Sequence, residues 1–359
     1  MKFRAEIQGL RALAVLLVIS HHFFPETIKG GFFGVDIFFV ISGYIITLNL
    51  MKTQSSSLKD FLLDFYGRRV RRIIPSALLV IALSVSMTYY LLGSITGSDT
   101  ALDGIFATLF LANFHFNSLS LDYFASGLPQ PILQHYWSLA IEEQFYLAWP
   151  LLFFVSRRAL ARLFSVMMIS LGSFLFAIIN VSDSSTTAYF STFSRIWELG
   201  IGAALALSDR KISSKALINA SITFLLGLSL VFSKETDFPG FPTLLVALLA
   251  GAIIVNSQSN RILGSKALTW IGNRSYTLYL VHWPVYQITK LSQGDEPSIG
   301  NKVVMLFFIT VISAVVFRYF ENPLRHSESL KRIPALTIFI GICLSGITII
   351  LLTLLRSIA

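Results

Sequence analysis

Apolar residues run in long blocks along this chain, separated by short polar stretches. Eleven blocks approach the length of a bilayer span: 7–24, 32–50, 73–92, 141–156, 162–181, 189–207, 216–233, 240–256, 267–291, 300–320 and 334–355. A helical span takes about 20 residues. Block 141–156 is short, and Trp137 to Leu139 extend it. The stretch 104–117 (GIFATLFLANFHFN) is too short and too polar at its end to span, and predicts a re-entrant or interfacial helix. The expected fold is all-α, a polytopic transmembrane helical bundle of about 10 core spans plus one C-terminal span. Residues 1–330 form the expected transmembrane domain and 331–359 an additional C-terminal helix. No clear repeat, long linker or low-complexity tract divides the chain. The longest non-spanning region, 93–140, carries Asp99, Asp103 and Asp122 but no Lys or Arg.

Composition removes the main alternatives. Of 359 residues, 54% are hydrophobic and 13% charged. Soluble domains are about 25% charged. There is too little polar surface here for a soluble globule, and too much apolar surface for disorder. One cysteine, Cys343, excludes a disulfide framework. The net charge of +9 raises the question of a polyanion partner. With the N-terminus in the cytoplasm, 19 of the 28 Lys and Arg fall on the inner side, 5 on the outer side and 4 within spans. The surplus therefore orients the chain, and no nucleic acid is needed to explain it. The first block contains Arg11, ends in His21-His22 and lacks a small-x-small cleavage site, so it reads as a span, not a signal peptide.

Charges within the spans mark candidate sites, because each costs at least about 2.5–3.5 kcal/mol at the bilayer centre on insertion scales. Arg11 and His22 share the first block. Eleven helical steps overshoot three turns by about 20°, so both lie on one face, about 16 Å apart along the axis. Interfacial anchoring is the alternative for each. The run Arg68-Arg69-Val70-Arg71-Arg72 reads either as a topology anchor or as a polyanion site, since guanidinium forks grip phosphates bidentately. Glu142 and Glu143 follow His135-Tyr136-Trp137-Ser138 at the outer start of the fourth block. The helix dipole accounts for one carboxylate. Glu143, among aromatics at the membrane boundary, needs a cationic partner, and His22 is expected at the same depth. A carboxylate-oriented histidine is a general-base arrangement.

Asp36 brings another carboxylate to the outer mouth of the second block. Ser138 reads as a helix N-cap and not as a nucleophile. Arg195 and Glu198 are expected to pair, and Arg318, Glu321 and Arg325 to form a structural ion network. Pro284, after His282-Trp283, predicts a kink. His135, Tyr136, Trp137, His282, Trp283 and Tyr286 are candidates for a sugar-binding rim, with an interfacial aromatic belt as the alternative. The spacings of His22, Asp36, His135, Glu143 and His282 match no compact ligand motif, so no metal is expected.

Seven of these stretches together resemble the acyltransferase-3 family of bacterial integral-membrane acyltransferases. They are Ile7 to Ala12 with His22, Gly31 to Gly43, Arg68 to Pro75, Trp137 to Tyr146, Arg195 to Gly200, Ser275 to Pro284 and Arg318 to Pro323. The resemblance implies transfer of an acyl group, usually acetyl, from cytoplasmic acyl-CoA to hydroxyls of an envelope or exported glycan, such as lipopolysaccharide O-antigen or exopolysaccharide. It assigns essential roles to Arg11 and His22, and marks the pair Arg69 and Arg72. It implies a bacterial cytoplasmic membrane location. Many O-antigen members carry an outer SGNH-type domain after an eleventh span; this chain stops at Ala359, so a separate outer-face domain or protein is an expected partner, besides membrane lipids.

On that reading acetyl-CoA is the donor substrate. Its phosphates dock on Arg68, Arg69 and Arg72, Arg11 guides the pantetheine arm, and His22, oriented by Glu143 or Asp36, takes the acceptor's proton. Direct transfer and a transient acyl-His22 remain alternatives. So does a membrane transporter or flippase of a glycan-lipid or small solute, since intramembrane Arg, Glu and His also mark ion pathways. A non-catalytic acyl-CoA sensor is a third reading.

Overall fold

The computed structural model describes residues 4–53, 57–119, 130–156, 158–183, 185–233 and 236–358. Lys2, Arg157 and Lys234, three of the basic residues counted above, and Asp122 of the 93–140 region lie outside the described residues. Within them the chain is helical, and the only β-type pairing is an isolated bridge between Ile212 and Asn256. The described residues group into two units, with boundaries after Thr53, after Leu119, inside helix α5 (Tyr136–Val155) and at Ser275.

The first unit holds α1 (Ala5–Phe23), α2 (Gly34–Lys52), α5 from Ile141 onward, α6 (Ala159–Asp183), α7 (Ser185–Phe190), α8 (Ile196–Ser208), α9 (Lys215–Val231), α10 (Phe241–Val255) and α11 (Lys266–Asn273). Local chemistry sets several ends. Ser214 and Ser265 cap α9 and α11 by accepting from the N–H of Leu217 at 3.2 Å and of Leu268 at 3.3 Å. Arg4 ties the start of α1 to the end of α10, donating to Ile254 O and Asn256 O, each at 2.8 Å. Those are the carbonyls a helix leaves open at its C-terminus. α1 packs on α2 and α11, and α2 packs on α8. Contact of α1 with the segment before α11 requires glycine: a Cβ on Gly9 would overlap the Leu263 carbonyl.

The second unit holds α3 (Leu58–Thr108), α4 (Ala112–Ser118), residues 130–140, α12 (Ser275–Gln293) from Tyr276, α13 (Ile299–Val316), α14 (Asn322–His326), α15 (Glu328–Arg332) and α16 (Pro334–Ile358). A π-turn, Phe317–Glu321, joins α13 to α14. α16 lies along α3.

Three sequence expectations are corrected here. The stretch 104–117 is not one short helix. Gly93 (φ 86°, ψ 178°) breaks α3, the helix resumes through Thr108, and Phe110 (φ 55°) turns the chain into α4. Block 267–291 is interrupted at Arg274 (φ −103°, ψ 3°), which ends α11 before α12 begins. Block 189–207 is likewise divided by a short turn, Thr192–Ser194, before α8.

The exterior is far more apolar than that of a soluble protein, and several charged side chains lie inside. Large apolar side chains such as Phe164, Ile179, Phe307 and Ile342 face outward, whereas Asp36, Arg195 and Glu198 are buried. Such a surface suits lipid. Among the described residues five helical stretches are long and apolar enough to cross a membrane: Gly31–Lys52, Leu58–Thr108, Ala159–Val181, Ile299–Arg332 and Pro334–Ile358. Three shorter apolar helices are Ile196–Ser208, Lys215–Val231 and Phe241–Val255. The described residues are thus all-helical, with several membrane-suited helices.

Candidate active site

Arg11 and His22 stand on the unbroken helix α1, so their shared face and separation of about 16 Å follow from regular helical geometry. Arg11 is buried, and its Nη1 donates to Gln8 Oε1 at 3.3 Å. His22 lies in the last turn and is half-buried. Its neighbour His21 is committed elsewhere: Nδ1 lies 3.0 Å from Ile28 O, and its ring meets Phe32 edge-on at 5.3 Å.

Helix α5 carries the two glutamates in the same unit. Glu142 accepts from Ser42 Oγ at 3.0 Å through Oε1 and from Tyr146 OH at 2.8 Å through Oε2. Trp149 Nε1 donates to Thr47 Oγ1 at 2.8 Å. The Ser42 and Thr47 bonds fasten α5 to α2, and the Tyr146 bond lies within α5. Glu143, one residue on and about 100° around the helix, is half-buried and points elsewhere.

Asp36 has a definite partner. Arg195 Nη1 donates to Asp36 Oδ1 at 2.6 Å and to Glu198 Oε1 at 2.9 Å, and Arg195 Nε donates to Tyr189 O at 3.2 Å. The guanidinium also lies 4.8 Å from the Tyr189 ring centroid. The expected Arg195–Glu198 pair is present, and Asp36 joins it. Two carboxylates on one guanidinium anchor the starts of α2 and α8 to each other.

The basic run lies in the second unit, on α3. Arg69 and Arg71 are buried, and Arg68 and Arg72 half-buried. Arg68 pairs with Asp64, and the Arg69 guanidinium sits 5.7 Å from the Phe65 ring centroid. Helical phase puts Arg69 and Arg72 on adjoining faces about 60° apart, and Arg71 about 160° from Arg69.

The aromatic candidates of this unit are packed inside. His135, Tyr136, Trp137, His282, Trp283 and Tyr286 are all buried. Tyr136 OH donates to Ala77 O at 3.0 Å, and Trp283 Nε1 to Pro131 O at 2.9 Å. An open rim is therefore not what these side chains form. His135 Nε2 lies 3.0 Å from Leu280 O. Pro284 has no N–H for that carbonyl, which lies four residues before it in α12, so the imidazole supplies the missing donor. Helix α12 runs through Pro284 without a break. Ser138 is inside α5, not at its cap: its Oγ lies 2.7 Å from Tyr279 OH and 3.3 Å from His135 O. Arg318 lies 5.9 Å from the Tyr319 ring centroid, and Glu321 is buried at the end of the π-turn.

The acyltransferase-3 profile, described as an acyltransferase domain, matches residues 4–354. The chain belongs to that family. The match extends through most of α16. The acyltransferase-3 chain is similar to the peptidoglycan O-acetyltransferase OatA of Listeria monocytogenes, at 35% identity over 90% of this chain and 56% of the relative. It is also similar to the O-acetyltransferase OatA of Staphylococcus aureus, at 32% identity over 89% of this chain and 57% of the relative. The chain thus spans little more than half the length of these relatives. No solved structure matches it.

Two arrangements in this acyltransferase-3 chain had no motif to announce them. One is the Asp36–Arg195 bond, since no spacing links α2 to α8. The other is His115 on Asp103: Nε2 lies 3.0 Å from Oδ1 and the ring stacks on Phe106 at 4.2 Å. The proline at 284 was the available signal for the His135–Leu280 bond.

Proposed function

We propose that this chain is a membrane O-acyltransferase, moving an acetyl group from cytoplasmic acetyl-CoA to a hydroxyl of a cell-envelope glycan. The observation that supports it best is the single helix α1, which carries a buried Arg11 and a half-buried His22 on one face. The names of the relatives favour peptidoglycan as acceptor over lipopolysaccharide O-antigen or exopolysaccharide. The proposed location is the bacterial cytoplasmic membrane, with the N-terminus inside and eleven spans. An outer-face domain or separate protein is the proposed aid in presenting the acceptor.

In this reading the CoA phosphates meet Arg69 and Arg72 with Arg68 beside them, and Arg11 guides the pantetheine arm. His22 accepts the proton of the acceptor hydroxyl as the oxygen attacks the thioester carbonyl. The new C–O bond forms, the C–S bond breaks, and the CoA thiolate recovers the proton from the imidazolium. General-base assistance of this kind is worth about 10²–10⁴-fold. Glu143 is the proposed carboxylate that orients His22, because Glu142 is held by Ser42 and Tyr146. Asp36 is assigned to positioning through Arg195. The aromatic set His135, Tyr136, Trp137, His282 and Trp283 is proposed to border the acceptor path from within. A relay through acyl-His22 uses the same residues in two steps.

Release of free CoA thiol tests the reaction class. Membranes containing the chain should liberate CoA from acetyl-CoA only when glycan acceptor is present. Solute movement without CoA release would mean a transporter instead.

A further inference from the structure

The stretch 320–330 lies against α3 at the level of the basic run. Phe320, Leu324 and Leu330 wall one cavity with Val70, Arg71 and Ile74. Arg71 Nη1 donates to Leu330 O at 3.0 Å, and α14 packs on α3. Arg72 follows Arg71 on α3, and Arg325 follows Leu324 on α14, so a guanidinium group stands beside this contact on each element.

Sequence spacing places Arg325 in a structural ion network with Arg318 and Glu321. In the structure the charge that acts most strongly on Arg325 is the like charge of Arg72, and the opposing effect of Glu321 is smaller. Neither Arg72 nor Arg325 forms an ion pair or a side-chain hydrogen bond among the described residues. Both can be reached from outside: Arg325 is exposed and Arg72 half-buried, whereas Glu321 is buried. Within the basic run Arg68 is paired with Asp64 and Arg71 with Leu330 O, so neither offers Arg72 a free neighbouring fork.

Like charges held side by side repel, and an anion shared between them attracts both. A carboxylate presents one pair of oxygens and suits one guanidinium fork. A phosphate monoester presents three acceptor oxygens and close to two negative charges, enough for two forks. We propose that Arg325 grips a phosphate of the acyl donor together with Arg72, so that the donor site is built from α14 as well as from α3. This rests on the reading of Arg72 as a donor-binding residue.

Isothermal titration of the purified full chain tests this, with CoA and with adenosine 3′,5′-bisphosphate, which carries the phosphorylated nucleotide end of CoA without the pantetheine arm. Arg325→Gln should weaken both by about tenfold, the scale of one hydrogen-bonded contact between charged groups. Arg325→Lys keeps the charge but loses the fork, and should weaken both by less. Arg72→Gln should weaken CoA by a factor similar to that of Arg325→Gln. If Arg72→Gln weakens CoA and Arg325→Gln does not, the donor reading stands and the role given to Arg325 is overturned. If neither variant changes CoA affinity, the donor reading itself fails and the role of Arg325 falls with it. A lipid headgroup is the other source of such a phosphate. Unchanged CoA affinity in Arg325→Gln, with loss of phosphatidylglycerol retention over phosphatidylcholine in native mass spectrometry, would assign the phosphate to a lipid and overturn the proposal. If Arg325→Gln does not accumulate, wild type gives a separate reading. Phenylglyoxal labelling of Arg325, read by peptide mass spectrometry, should fall when CoA saturates the protein. Protection of Arg72 without protection of Arg325 overturns the proposal and leaves the donor reading in place.

Discussion

Arg195 donates to Asp36 at 2.6 Å across 159 positions of sequence, with both side chains 1% exposed. The same Nη1 reaches Glu198 at 2.9 Å. Removing the guanidinium would leave two buried carboxylates facing each other. Loss of one partner from a buried pair costs about 3–5 kcal/mol. Arg195→Leu should therefore lower the thermal stability of the purified protein sharply. Asp36→Asn keeps an acceptor for Arg195 and should cost much less. Equal, small effects of both variants would show that the cluster contributes little to holding α2 and α8 together.

The bond from His135 to Leu280 gives a second expectation. His135→Leu removes the donor and leaves a buried carbonyl open, at a cost of about 1–3 kcal/mol. Pro284→Ala restores a backbone N–H four residues after Leu280, so the double variant should recover much of the loss. A double-mutant cycle measures this, with contacting residues typically coupled by about 0.5–3 kcal/mol. Strict additivity would mean the carbonyl is satisfied some other way.

How far the sequence anticipates the structure depends on the range of the interaction. Helix α1 and the shared face of Arg11 and His22 follow from a local apolar block and helical phase. The Arg195–Glu198 pair follows from a three-residue spacing. The breaks at Gly93 and Arg274 lie beside long apolar runs, and hydropathy does not distinguish one helix from two in succession. Burial of Tyr136 and Trp137 depends on packing of distant helices, so aromatic residues at a block end read equally well as a rim. The Asp36–Arg195 bond is wholly long-range, and a carboxylate at a span mouth carries no mark of which cation it meets. The bonds of Ser42 and Tyr146 to Glu142 are likewise visible only once the helices are packed.

The proposed donor site on α3 has a direct test. Arg69→Ala combined with Arg72→Ala should weaken CoA binding by at least about tenfold, given two lost charge-assisted contacts. Isothermal titration of the purified variant with CoA reads this directly, and insertion and folding should be retained. Unchanged affinity would place the donor site elsewhere.

A pH effect is expected at the 294–298 turn, between α12 and α13. Partial burial raises the Glu296 carboxyl, but hydrogen bonds from Lys290 and Tyr286 and the charges of Lys290 and Lys302 outweigh it, leaving a pKa below the ordinary value of 4.5. A carboxylate lowered on folding stabilises the fold above its unfolded pKa, and that contribution fades as pH falls through the folded value. Glu296→Gln should thus melt slightly below wild type near neutral pH, with the gap closing under acid conditions below the ordinary carboxylate range. The effect is small because the side chain is 56% exposed. A gap that widens with acid would contradict the assignment.

The most direct test of acyl transfer through His22 follows base-labile label from acetyl-labelled acetyl-CoA into envelope glycan, in membranes holding wild type or His22→Ala at equal protein level. Label in wild type and its loss in His22→Ala is the expected result. Equal labelling by both would contradict the role given to His22.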